Sequence, residues 1–291
     1  MKQGRLVPQQ VPLRVDFAGG WLDVPKLARP GAFIVNCAIQ PLVSLTSWPY
    51  EIGAGLGGSA AKAILEGRDG VASEIATGVG WQDPAVIRET GLCVWRSGAR
   101  PLLETKSDPA MLVGRMALLW TGKTHNTPGL VDRPRDYDLI EKAGALAAKA
   151  VARMAEEIRN SNTEIRNKHE IQSPKHETNG EDGTRQAKRG EPPAVSNFGL
   201  GASDLFRISD FGFRASTRPY DALCDAVAMS YEMQRKEGMP ALPDHGEQAK
   251  KYCGGGFGGY AVYLYADAEA RKRALDTIAG MRVIDPYAAN G

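Results

Sequence analysis

The spacing of hydrophobic and polar positions predicts a chain in which strands and helices alternate. Near the start, Leu13, Val15 and Phe17 alternate with Arg14 and Asp16, and a period of two residues is typical of a strand. Apolar and β-branched runs predict further strands at 32–39, 42–46, 91–95, 116–120 and 260–265. Interleaved strands and helices indicate the α+β or the α/β class.

Helical spacing is strongest in the segment 136–158. There the apolar residues recur every three or four positions, at Leu139, Ile140, Ala143, Leu146, Ala147, Ala150, Val151 and Met154. Shorter helices are predicted at 59–66, where Ser59 lies near the N-cap, and at 70–76, 218–237 and 268–281.

The segment 157–193 differs from the rest of the chain. It lacks aromatic residues, mixes charges of both signs and is rich in Asn, Gly, Ser and Thr. Such a composition buries too little apolar surface to offset the entropy lost on ordering. We therefore expect a mobile surface insertion, and the alternative is that a few turns of charged helix persist.

Composition and charge exclude several classes of function. The chain has 291 residues, of which 43% are hydrophobic, so one large or two mid-sized domains are expected. With 36 basic and 34 acidic side chains the net charge is +2, and no basic stripe with interleaved aromatics is present. A nucleic-acid partner is therefore not expected.

The start of the chain has neither an apolar run nor a cleavage-site pattern, and no apolar stretch approaches the length of a membrane helix. The four cysteines are widely spaced, and no Cys/His cluster suggests zinc. These features predict a cytoplasmic protein with free thiols and without a membrane span.

Candidate chemistry lies in three glycine-punctuated segments, 12–23, 53–61 and 253–260. In the second, glycines allow backbone N–H groups to approach a ligand, and a helix starting near Ser59 adds the positive end of its dipole. This pattern is typical of a phosphate-binding loop, although a tight glycine turn is the alternative. It is not a Walker A loop, because no Gly-Lys-Ser/Thr closes it.

In this order the three segments resemble those of the GHMP small-molecule kinases. Gly55-Leu-Gly-Gly-Ser-Ala-Ala61 resembles the family's phosphate loop, and Pro12–Asp23 is most similar to the fucokinase and heptose-phosphate kinase branch. The resemblance implies an α+β, two-lobed fold. A ribosomal S5 domain 2-like lobe would comprise residues 1–108 and a ferredoxin-like lobe residues 109–291.

The resemblance also implies ATP and Mg²⁺ as cofactors. Ser59 and Glu74 would be the magnesium ligands, because Mg²⁺ prefers oxygen ligands together with phosphate. The ATP phosphates would be bound by Gly55, Leu56, Gly57, Gly58, Ser59, Ala60, Gly255 and Gly256. For the third segment, backbone packing without ligand contact is an equal alternative.

Two residues are the candidates for catalysis. Asp83 ends a stretch, Glu74–Asp83, that resembles a motif of the same sugar-kinase branch, and it would accept the proton of the attacking alcohol. Arg14 would stabilise the transferred phosphoryl group electrostatically. The alternatives are a surface strand residue for Arg14, an N-cap before Pro84 for Asp83, and an exposed helix residue for Glu74.

For the substrate, the resemblance implies that Gly20, Trp21 and Asp23 bind a sugar, while Asp23 as a turn former is the alternative. Lys123 or His125 would reach the sugar or a phosphate. The implied reaction transfers the γ-phosphoryl group of ATP to a sugar hydroxyl, the anomeric one, to give a sugar 1-phosphate. The partner would be a small-molecule sugar or sugar phosphate, and the enzyme a monomer or homodimer.

One departure from the family leaves other functions open. The stretch 24–52 is shorter than in the family, with Trp48 and Tyr50 as the aromatic residues that could stack on a base. A non-catalytic ligand-binding or regulatory protein of the same fold is therefore the alternative. A kinase for a non-sugar alcohol is a third possibility.

Overall fold

The computed structural model describes residues 7–125, 127–171 and 218–289, and of 161–171 only the backbone. Residues 1–156 and 215–291 form one compact unit and residues 157–214 a second. The predicted division at residue 108 falls within the first unit and stays a prediction. In the described ranges, no helix is long and apolar enough to cross a membrane.

In the described part of the chain, eight strands form one antiparallel sheet, with the order β4-β3-β2-β8-β5-β7-β6 and with β1 paired to β2 in addition. Their bounds are β1 Val11–Ala18, β2 Phe33–Val43, β3 Leu92–Arg96, β4 Leu102–Ser107, β5 Met116–Trp120, β6 Ala249–Tyr252, β7 Tyr260–Leu264 and β8 Met281–Pro286. The runs 32–39 and 42–46 are not two strands: β2 continues from the first run through residue 43, and residues 44–46 lie beyond its end. The sequence analysis did not predict β4, β6 or β8.

Within the described residues, six α-helices accompany the sheet: α1 Gly58–Leu65, α2 Gly70–Ala76, α3 Gln82–Glu89, α4 Tyr137–Ile171, α5 Pro219–Lys236 and α6 Ala268–Thr277. The helix predicted at 268–281 is too long, because the chain turns at Gly280 and continues as β8. Helix α4 extends past residue 158, so the start of the segment 157–193 is helical to Ile171. The remainder of that segment lies outside the described residues.

Strand β1 is buried along its whole length. It pairs with β2, with Leu13 opposite Ile39 and Val15 opposite Cys37, and helices α1, α3 and α5 also pack against it. The alternation of apolar and polar residues in β1 therefore does not mark a solvent-facing side. Instead it directs Arg14 and Asp16 into the interior, where each needs an oppositely charged partner.

Close approach of α4 fixes the turn that follows β1. A Cβ atom on Gly144 would lie 2.2 Å from the carbonyl oxygen of Phe33 and 3.4 Å from the Cα atom of Gly19. Glycine is therefore required where α4 crosses the start of β2. This contact places the turn with Gly20 and Trp21 against the body of the protein.

Candidate active site

Most of the residues predicted from the three glycine segments surround a single cavity of about 1090 Å³, but Ala60 and Gly256 are not part of its lining. Strand β1, the loop before α1, the helices α2 and α3 and the turn after β6 all contribute to its wall. Its lining includes Arg14, Asp23, Gly55, Ser59, Glu74, Asp83 and Gly255. The fold thus brings together residues that are far apart in the sequence, such as Arg14 and Gly255.

The loop before α1 has the backbone geometry of an anion-binding loop. Gly53, Gly55 and Gly57 all have positive φ angles, and Gly57 is the N-cap of α1 without any side-chain capping bond. Uncapped N–H groups and the positive end of the helix dipole therefore remain available in the first turn. Ser59 is the second residue of the helix and thus lies near the N-cap, as predicted.

The two predicted magnesium ligands are adjacent. Ser59 Oγ donates a hydrogen bond of 2.6 Å to Glu74 Oε1. Glu74 is only 9% exposed, so the alternative of an exposed helix residue is wrong. Burial raises the pKa of Glu74, and the negative charge of Asp83 raises it further. A cation bound beside this carboxylate would relieve both effects.

Arg14 and Asp83 form a buried ion pair. Arg14 Nε donates to Asp83 Oδ1 at 2.6 Å, and Arg14 Nη1 donates to the Gly55 carbonyl oxygen at 2.8 Å. Arg14 is 3% exposed, so it is not a surface strand residue. Burial opposes its charge, but Asp83 and Asp16 outweigh burial and raise the pKa of Arg14 above its ordinary value.

Asp83 lies in the first turn of α3, whose N-cap is Trp81, so the predicted N-cap role of Asp83 is wrong. A Cβ atom on Gly57 would come within 3.3 Å of the side chains of both Arg14 and Asp83. The ion pair is therefore in packing contact with the loop that precedes α1. A carboxylate beside a phosphate-binding loop can accept a proton from a nucleophilic hydroxyl.

Two charged residues of the site were missed by the sequence analysis as functional candidates. Lys251, at the end of β6, donates hydrogen bonds through Nζ to the carboxylate and, at 3.0 Å, to the carbonyl oxygen of Asp16. Arg14 Nη1 donates to Asp16 Oδ1 at 3.2 Å. Polar residues inside otherwise apolar strands, next to glycine segments, were the signal that could have indicated them.

Asp23 is tied to the start of α3. Its oxygens accept hydrogen bonds of 3.1 Å from the backbone N–H and from the side-chain amide of Gln82. Burial raises the pKa of Asp23 to about 7, and nearby Asp83 adds to the rise. Asp23 lines the cavity with Gly20 and Trp21, but its contacts are those of a residue that orders the chain before Asp83.

The raised pKa of Asp23 predicts that the stability of the protein depends on pH. Because the pKa of Asp23 lies at about 7 in the folded state and near 3.8 ordinarily, ionising it costs about 4 kcal/mol of stability. The contribution is fully present below pH 4 and is lost as the pH rises to 7. We expect Asp23→Asn to remove that decline, measured by urea unfolding from pH 4 to 8. A parallel decline in both proteins would contradict the assignment; the exposed Asp132→Asn should behave as wild type.

The third glycine segment crosses directly over the second. The Tyr260 N–H donates to the Ala54 carbonyl oxygen at 2.8 Å, and a Cβ atom on Gly259 would lie 2.6 Å from that same oxygen. Gly255 lines the cavity, whereas Gly256 packs against Met239. Of the two alternatives for this segment, backbone packing accounts for Gly256 and Gly259, and ligand contact stays a prediction for Gly255.

The aromatic residues of the short 24–52 stretch also reach the cavity. Trp48 approaches Gly58, at the start of α1, and both Trp48 and Tyr50 line the wall. Tyr50 packs edge-on against Tyr260, and its hydroxyl is buried without a hydrogen-bond partner. An apolar wall with one unsatisfied hydroxyl beside a phosphate-binding loop suits a flat heteroaromatic group.

His125 lines the cavity, whereas Lys123 is exposed and is not part of the lining. His125 Nδ1 lies 3.1 Å from the Gly53 carbonyl oxygen, and Nε2 lies 2.8 Å from Thr127 Oγ1. Burial lowers the pKa of His125, so the ring is neutral at pH 7. Both ring nitrogens are occupied within the protein, which favours a structural role at the crossing of the glycine segments.

Comparisons with known proteins show similarity in fold and not in sequence. No protein-family model matches the sequence, and no curated protein matches it either. Solved structures do match: the mevalonate kinase of L. major, in complex with R-mevalonate, aligns with a TM-score of 0.52 at 12% identity over 99% of both chains. The mevalonate kinase of Methanococcus jannaschii aligns at 0.50 and 11% identity, over 96% of this chain and 98% of that one.

A third structure, the phosphomevalonate kinase of Streptococcus pneumoniae in complex with phosphomevalonate and AMPPNP, aligns with a TM-score of 0.50 at 11% identity. The alignment covers 96% of this chain and 99% of that one. At sequence identities this low, the structural matches are evidence for the fold alone. Together with the antiparallel sheet, its helices and the three glycine segments, they show that this chain has the α+β fold of the GHMP kinases.

Proposed function

We propose that the protein is an ATP-dependent kinase that transfers the γ-phosphoryl group to a hydroxyl of a small molecule. One observation carries the proposal. The uncapped start of α1, the Ser59–Glu74 pair and the Arg14–Asp83 pair all face one cavity. A phosphate-binding loop, a place for a cation and a base are the parts that phosphoryl transfer requires.

The loop 53–58 and the first turn of α1 would hold the ATP phosphates through backbone N–H groups. Ser59 and Glu74 would hold Mg²⁺, which suits one carboxylate and one hydroxyl because this ion takes its remaining ligands from phosphate and water. When bound, the ion supplies positive charge that stabilises the phosphate oxygens. Trp48 and Tyr50 would contact the nucleobase.

At the other side of the loop, Asp83 would take the proton of the substrate hydroxyl as its oxygen attacks the γ-phosphorus. The bond from that phosphorus to the β,γ-bridging oxygen breaks, and ADP leaves. Arg14 pairs with Asp83 and places a positive charge near the transferred group. A protein that only binds a ligand would gain nothing from this buried pair, whose desolvation is costly.

For the acceptor we propose a sugar, phosphorylated at the anomeric hydroxyl to give a sugar 1-phosphate. This choice depends on the resemblance of the segments 12–23 and 74–83 to the fucokinase and heptose-phosphate kinase branch. Two of the structures described above are instead complexes with mevalonate and phosphomevalonate. A panel of sugars, sugar phosphates and mevalonate, assayed for ADP release, decides between the two acceptor classes.

The first test is ATP binding. We expect the purified protein to bind Mg–ATP in a calorimetric titration, and Ser59→Ala to weaken binding by about tenfold, because a magnesium ligand is lost. Ser107→Ala is the matched control, since its hydroxyl is buried without a partner in β4, away from the cavity. If no binding is detected at millimolar ATP, the kinase proposal is wrong and the non-catalytic ligand-binding alternative takes its place.

A further inference from the structure

Four charged side chains form a continuous row along the wall of the cavity: Lys251, Asp16, Arg14 and Asp83. Lys251 binds both the carboxylate and the carbonyl oxygen of Asp16, Asp16 accepts from Arg14 at 3.2 Å, and Arg14 donates to Asp83 at 2.6 Å. The first three residues are at most 3% exposed. The charges alternate in sign along the row and sum to zero.

Asp16 is the central acceptor of this row. Its Oδ2 atom is bound by Lys251, while its Oδ1 atom accepts from Arg14 and, at 2.9 Å, from the backbone N–H of Gly254. Burial alone would raise the pKa of Asp16, but Lys251 and Arg14 outweigh it and hold that pKa below its ordinary value. Asp16 thus stays ionised, and it competes with Asp83 for the guanidinium group of Arg14.

We propose that Lys251 is a positioning residue for the transfer reaction, acting through Asp16 to leave the Nε–H of Arg14 free for Asp83. Lys251 neutralises one oxygen of Asp16, so Asp16 needs only a single hydrogen bond from Arg14. Without Lys251, Asp16 would draw the guanidinium group toward itself, and Asp83 would lose its counter-charge. The inference rests on the proposed function, because it assigns Asp83 as the base.

The arrangement also links the third glycine segment to the base. Lys251 and Gly254 belong to the end of β6 and the turn after it, and both reach Asp16 on β1. Residues 251 and 254 therefore contact Arg14 only indirectly, through the carboxylate of Asp16 that all three bind. This gives the third segment a role that neither phosphate contact nor packing alone supplies.

The kinetic test uses charge removal in three variants. We expect Lys251→Met to lower kcat by about tenfold or more with little change in the KM for ATP. The acid limb of its pH–rate profile should move up by about one pH unit, because a negative charge is left uncompensated near the base. Asp16→Asn should move that limb down, and the double variant should return it close to wild type.

A loss of packing would lower activity in all three variants. It would not move the acid limb in opposite directions in the two single variants and restore it in the double variant. Other titratable groups face Asp83 as well: Asp23 before α3, Glu74 on α2 and His125 in the loop after β5. They are unchanged in every variant, so the difference between profiles reports Lys251 and Asp16. Equal shifts in both single variants, or no shift in either, would overturn the proposal.

Lys250 provides the matched control. It is the neighbour of Lys251 in β6, is 8% exposed and also pairs with carboxylates, those of Asp244 and Glu247. None of its partners belongs to the row that reaches Asp83. We therefore expect Lys250→Met to lower stability while leaving kcat and the acid limb at their wild-type values; a shifted acid limb in this control would count against the proposal.

A second readout does not depend on turnover. In the ¹H–¹⁵N spectrum, the Nε–H resonance of Arg14, assigned by its loss in Arg14→Lys, should be protected from exchange with water by its bond to Asp83. We expect Lys251→Met to lose this protection, and Lys250→Met to keep it. Unchanged protection in Lys251→Met overturns the proposal even if the protein has no kinase activity, whereas lost protection without any ATP turnover refutes the proposed function only.

Discussion

Replacing Asp83 by Asn is expected to lower the rate of phosphoryl transfer by about 10²- to 10⁴-fold, because the amide cannot accept the proton of the attacking hydroxyl. The side chain keeps its size, and the loop before α1 still packs against it. Binding of Mg–ATP should therefore change little. Single-turnover ADP formation and calorimetry on the same preparation measure the two effects separately.

Asp285→Asn is the control for this experiment. Asp285 accepts a hydrogen bond of 2.9 Å from Arg271, so the variant also weakens an Arg–Asp pair, but one that is remote from the cavity. It should transfer phosphate at the wild-type rate. Full turnover in Asp83→Asn would remove Asp83 as the base, and a matching loss in Asp285→Asn would show that the assay reports stability.

The second large effect is expected at the crossing of the glycine segments. In Gly259→Ala, the new methyl group would lie 2.6 Å from the Ala54 carbonyl oxygen, on a residue with φ of 75°. Neither backbone can move without breaking the bond from the Tyr260 N–H to that oxygen. We expect the free energy of unfolding to fall by about 3 kcal/mol or more and ATP binding to weaken, because the loop before α1 is displaced.

Gly280→Ala is the control that distinguishes the two effects in Gly259→Ala, backbone strain and steric overlap of the new methyl group. Gly280 has φ of 80°, but a Cβ atom there would meet nothing within 4 Å. Its substitution should cost only about 1 kcal/mol, from the left-handed conformation, and leave ATP binding unchanged. Urea unfolding and calorimetry check both variants. Equal losses of stability at the two positions would show that the segments do not meet as closely as described.

Much of the secondary structure could be predicted, because it depends on local pattern. The alternation in β1, the apolar run of β5 and the helical spacing of α4 each predicted an element of the right type. The failures also have local causes. Strand β6 contains Lys250 and Lys251, and β4 is largely exposed, so neither shows the apolar pattern of a strand. The helix predicted to 281 could not be ended at Thr277 from spacing alone.

In the candidate site as well, some features could be predicted from the sequence and others could not. Gly55, Ser59, Glu74, Arg14 and Asp83 could be named from the sequence, because their motifs resemble those of a known family. The partners of each residue could not be named. That Arg14 shares its guanidinium group between Asp16 and Asp83 depends on the packing of α3 against β1 and on the bond from Lys251 in β6 to Asp16.

By itself, then, the sequence determined that strands and helices alternate, where a loop can bind phosphate and which residue types are available for catalysis, since these follow from composition, spacing and local backbone preference; the choice of the α+β class came from the resemblance to the GHMP kinases. Only the tertiary structure decided that Glu74 is buried against Ser59, that Asp23 holds Gln82, and that Lys251 reaches Asp16 across the chain. The physical reason is that a charge acquires its pKa, its partner and its role from the groups that surround it after folding, and those groups are distant in the sequence.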